Sequence, residues 1–118
     1  MPTPWTPSAD APFLRFYHAA DLRAKTLAML ATVEQAPDPT RHRNALADVV
    51  MELTDSGLEY YFLRALDLAK VGFVVKQSAS VGMTAVKRVM GPVVHNVIGH
   101  MDKEQLLIVC RHIRQLME

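Results

Sequence analysis

Apolar residues recur at three- and four-residue spacing along most of the chain, the signature of helices packed on one face. The first run starts at Pro12, which a helix tolerates in its opening turn. Phe13, Phe16, Tyr17, Ala20, Ala24, Leu27, Ala28 and Ala31 form one stripe, thin because half of it is alanine. Leu22, Met29 and Val33 form a smaller second strip, and Asp21 and Lys25 stand at the i,i+4 spacing of a surface ion pair. Pro37 and Pro39 stop this helix.

Asp38 caps a second helix with Pro39 at its first position. Leu46, Val49, Val50 and Leu53 are its expected buried face, Arg41, Asp48 and Glu52 its wet side, and "TDSG" its end. Ser56 and Glu59 have the spacing of a capping box and open the next segment. That segment, over about 57–80, is apolar nearly all round. Tyr61, Phe62, Ala65, Leu68, Ala69, Gly72, Phe73 and Val75 cover about half the circumference. Leu63, Val71 and Val74 interrupt the charged half. The pattern leaves open whether 57–90 is one helix or two.

A further stripe of Val86, Met90, Val93 and Val97 runs to Gly99, with Gly91-Pro92 expected to kink or break it. Asp102 and Gln105 form another capping box. The last helix carries Leu106, Val109, Cys110, Ile113 and Met117 on its inner side. No segment alternates with the period of a strand. The fold expected is therefore all-α, a bundle of four to five mainly antiparallel helices over 12–118. Residues 1–11, with Pro2, Pro4 and Pro7, form an extended or disordered arm whose Trp5 folds back or docks on a neighbour.

Composition narrows the function. Of 118 residues, half are hydrophobic and 21% charged, which is globular usage. The net charge of +1 provides no field for nucleic acid. One cysteine, Cys110, leaves no internal disulfide; it falls on an apolar stripe and reads as an inert buried thiol. Without a leader-like N-terminus or a long uncharged apolar run, the expected location is cytoplasmic.

Candidate chemistry is sparse. His95 and His100 are five positions apart, so on a helix they diverge by roughly 140° and cannot share a metal. His100 reads instead as a group at a helix C-terminus, and no metal or other cofactor is expected. Cys110 and His112 diverge by roughly 200°. Glu59, Arg64, Asp67 and Lys70 read as a solvated ion-pair ladder. The glycines match no phosphate-binding fingerprint. No catalytic set emerges, and the expectation is a non-enzymatic protein acting through protein–protein association, first as a homodimer with Leu63, Val71 and Val74 at its interface. The first alternative is a binder of an apolar small molecule, with Phe16, Tyr17, His18, Tyr61 and Phe62 lining its pocket. The second is association with a membrane surface through 83–98, where Lys87 and Arg88 flank valines.

Overall fold

The computed structural model describes residues 16–117; Trp5, Phe13 and the expected arm over 1–11 lie outside the described residues. Four helices pack against one another, and there is no strand among the described residues. Helix α1 is Ala20–Gln35 and ends where Pro37 and Pro39 were expected to end it. The run from Phe16 to Ala19 is not helical, so the first helix begins later than the apolar stripe implies. A 3-10 turn, Pro39–His42, leads into α2. Asp38 caps that turn rather than the second helix it was expected to open, its carboxylate accepting from the Thr40 amide at 3.2 Å.

The inner face of α1 is not the alanine stripe. Thr26, Leu30 and Val33 are the residues buried on it, while Ala20, Ala24 and Ala28 are exposed. Area decides this: a leucine or valine removes much more apolar surface from water than an alanine. The buried Thr26 hydroxyl donates to the Leu22 carbonyl at 2.7 Å and so is satisfied within its own helix.

Helix α2 starts at Arg43 and runs through Arg43–Leu58, one π turn at Glu59–Leu63, and Arg64–Leu68. "TDSG" therefore lies inside a helix, and the Ser56–Glu59 capping box does not form. Gly57 is buried with the ring of Phe16 3.7 Å from the place a Cβ would occupy. A Cβ there would make ordinary van der Waals contact with the ring, and the glycine marks no turn.

The break in the long apolar segment comes at 69–72. The Lys70 amide donates to the Asp67 carbonyl and the Val71 amide to the Leu66 carbonyl. Lys70 sits at φ 54°, the left-handed residue of a Schellman end. Gly72 precedes α3, which is Phe73–Ile98. The apolar segment over 57–80 is thus the end of one helix and the start of another, and 57–90 is two helices. Helix α3 continues through Gly91 and Pro92 without breaking. Pro92 lacks an amide hydrogen, and its ring faces solvent.

Helices α2 and α3 form an antiparallel hairpin with ion pairs along its length. Asp67 pairs with Lys76 near the turn, Glu59 with Lys87 at 3.5 Å, and Asp48 with His95 at 2.7 Å. Asp67 and Glu59 thus find partners across the hairpin, not along one helix as expected. Lys25 likewise reaches Glu52 on α2 at 2.8 Å instead of Asp21.

Helix α4 is Lys103–Leu116, opened by the expected Asp102–Gln105 capping box. Its Leu106, Cys110 and Ile113 join Leu30, Val33, Leu46, Ala47 and Ile98 in the core. The guanidinium of Arg43 donates to the Met101 carbonyl at 2.9 and 2.5 Å, fastening the start of α2 to the α3–α4 link.

Candidate functional site

The largest unsatisfied feature of this architecture is the outward side of α3. That helix packs chiefly against α2 and contributes only Met83 and Ile98 to the buried residues. A peripheral helix hides one face and should be polar on the other. Here the other face is apolar. Val74, Val75 and Val81 are exposed on its first half, and Val86, Val89, Val93 and Val97 on its second. At about 100° per residue these seven valines fall within roughly half the circumference. Ser78, Gly82, Ala85, Pro92 and Asn96 fill the gaps between them, all exposed. No ionisable side chain belongs to this strip. Val89 is 69% exposed, and a shallow depression of about 320 Å³ lies among Ala85, Val86, Val89 and Met90.

The charged groups of α3 lie beside the strip. Lys76 and Lys87 are engaged by Asp67 and Glu59 of α2. Arg88 is exposed at the edge of the strip, and α3 contains no acidic residue at all.

The expected interface residues fall on three different elements. Leu63 is half-buried in the π turn, Val71 is half-buried in the link, and Val74 is 75% exposed at the start of α3. Only Val74 belongs to the open strip. Of the rest of that strip, Val75 and Ser78 fall within the 57–80 segment, and Val81, Val86, Val89, Val93 and Val97 lie further along the chain. Its signal was present in the sequence as the valine spacing from 86 to 97, but which side of that stripe faced inward was not.

The expected aromatic pocket is partly assembled. Phe16 makes edge contacts with His18 at 6.1 Å and Tyr61 at 5.7 Å between ring centres, and Tyr17 meets Tyr60 at 5.9 Å. Phe62 is 47% exposed and makes no ring contact among the described residues. Beside this cluster runs a groove of about 840 Å³ lined in part by Tyr17, His18, Tyr60, Glu59, Arg64 and Asp67. It is open to solvent, and charged groups form much of its wall.

The histidines are held separately. His95 bonds Asp48 and the Gly91 carbonyl, while His100 Nδ1 lies 2.6 Å from the Asn96 carbonyl oxygen at the end of α3. The His95 imidazolium is favoured by the Gly91 carbonyl and by Asp48, which raise its pKa above 6.5. Burial pushes the Cys110 thiol up to about 11. No helix among the described residues is long and apolar enough to cross a membrane. Comparison with family models, curated proteins and solved structures finds no match to this chain.

Proposed function

We propose that this is a non-enzymatic helical protein that works by binding another protein chain, first a second copy of itself, through the outward strip of α3. The observation that carries the reading is the apolar, charge-free side of a 26-residue helix left facing water. Contiguous exposed apolar patches beyond a few hundred Å² mark association surfaces. Each exposed valine forgoes part of the roughly 1.5–3 kcal/mol that full burial yields. A partner recovers that energy without disturbing the core, because the strip and the core lie on different sides of α3.

The groove beside Tyr17 and Tyr60 supports the small-molecule reading less well, since charged residues line it and it stands open. The test of the association reading is molecular mass by light scattering over a dilution series, for the full chain and for Val89→Glu. A dimer that Val89→Glu converts to a folded monomer supports it. A monomer at every concentration overturns it. Binding to anionic vesicles that Val89→Glu abolishes, in a chain that stays monomeric, would also overturn it and favour a membrane surface.

A further inference from the structure

We infer that two copies of the chain meet through α3 in antiparallel fashion, with the two-fold axis beside Ala85 and Val86. Gly82 of each copy then faces Val89 of the other, and Ser78 faces Val93. The inference rests on the self-association reading above and adds the geometry of the contact.

Area places the axis. A 26-residue helix is about 39 Å long and about 10 Å across, so half of its lateral surface is on the order of 600 Å². Stable pairs bury about 600–1,000 Å² on each partner. A pair held by this strip must therefore use nearly all of it. Two antiparallel copies achieve that only when the axis passes the midpoint of Phe73–Ile98, which falls between Ala85 and Val86. Any slide along the helix leaves valines of both copies in water.

Side-chain size sets the direction. Along the middle of the strip the first half offers Val75, Ser78, Gly82 and Ala85, and the second half Val86, Val89, Val93 and Asn96, so three small residues lie together and three valines lie together. An antiparallel pair lays Ser78, Gly82 and Ala85 of one copy on Val93, Val89 and Val86 of the other, and Val75 on Asn96, so the helix axes keep an even separation. A parallel pair sets Ser78, Gly82 and Ala85 against their own copies and Val86, Val89 and Val93 against theirs, and the separation of the helices becomes uneven. Antiparallel helix dipoles also attract. The absence of charge on the strip lets it face its own copy without like-charge repulsion.

Gly82 fits this role. A Cβ at Gly82 would meet no neighbouring atom within 4 Å among the described residues, so their packing gives no reason for glycine there. Glycine in a helix interior is otherwise unfavourable. Close approach of a second helix gives it a use.

Cysteine cross-linking on the full chain tests the arrangement. Val86→Cys stands next to the axis and should form a covalent dimer readily under mild oxidation. Val93→Cys stands roughly 22 Å from its own copy along the helix and should not. Mixed with Ser78→Cys protein, however, Val93→Cys should cross-link. Equal self-cross-linking of Val86→Cys and Val93→Cys means a parallel pair, which overturns the inference and leaves the association reading standing. A dimer by mass in which none of these cysteines cross-links places the contact elsewhere and overturns it too. A monomer by mass defeats the association reading itself. Gly82→Ala gives a second measurement: dimer dissociation should rise by roughly tenfold, because a methyl group is forced between the helices. An unchanged dissociation constant for Gly82→Ala would count against the close approach.

Discussion

His95 holds acceptors at both ring nitrogens: Asp48 Oδ1 lies 2.7 Å from Nε2, and the Gly91 carbonyl oxygen 2.9 Å from Nδ1. A neutral imidazole has one N–H and can donate to only one of them; the imidazolium donates to both. The pair therefore joins α2 to α3 most strongly when His95 is charged. Of the three α2–α3 ion pairs it is the one built on a histidine.

Stability should consequently fall as pH rises. The folded pKa of His95 lies above the unfolded value of 6.5, raised first by the Gly91 carbonyl and then by Asp48. The contribution of the pair is complete below 6.5 and is lost as pH climbs through the folded pKa. Thermal unfolding measured between about pH 6 and 8 should show this decline, and His95→Gln should flatten it. A pH-independent midpoint in the native chain would show that the contact contributes nothing in solution.

Cys110 should resist thiol reagents in the folded protein and react quickly in denaturant. It has no exposed surface, and burial pushes its pKa to about 11, so almost none is thiolate at neutral pH. Rapid labelling without denaturant would mean that α4 opens readily.

Truncations should divide sharply between the two sides of the molecule. Leu106 and Leu30 are fully buried in the same cluster. Leu106→Ala or Leu30→Ala should cost about 2–5 kcal/mol in chemical denaturation. The same experiment on Val89→Ala, at concentrations dilute enough to hold the chain monomeric, should show little change because Val89 is 69% exposed and buries little of its side chain.

Lys70→Gly should stabilise the hairpin by about 1 kcal/mol, since a non-glycine residue at positive φ carries a cost that glycine does not. A loss of stability on this substitution would mean that the Lys70 side chain makes a contact worth more than the strain.

What could be read directly from the residues was whatever depends on near neighbours. Asp102 and Gln105 cap α4 because both partners lie within one turn. Pro37 and Pro39 end α1 for reasons internal to their own rings. Leu106, Cys110 and Ile113 face the core because one amphipathic stripe admits one orientation. The all-α class follows from the same periodicity. Tertiary structure decided the matters that depend on distant segments. The apolar pattern across 57–80 carries no stop signal at Lys70; the chain turns there because α3 returns along α2 and pairs Asp67 with Lys76 and Glu59 with Lys87. Ser56-Gly57 looks like a turn until the helix runs through it and Phe16, some forty positions earlier in the chain, packs over Gly57. The open side of α3 was hidden for a related reason. Valines lie on much of its circumference, so periodicity alone fits several rotations, and only packing against α2 chose which of them remained facing water.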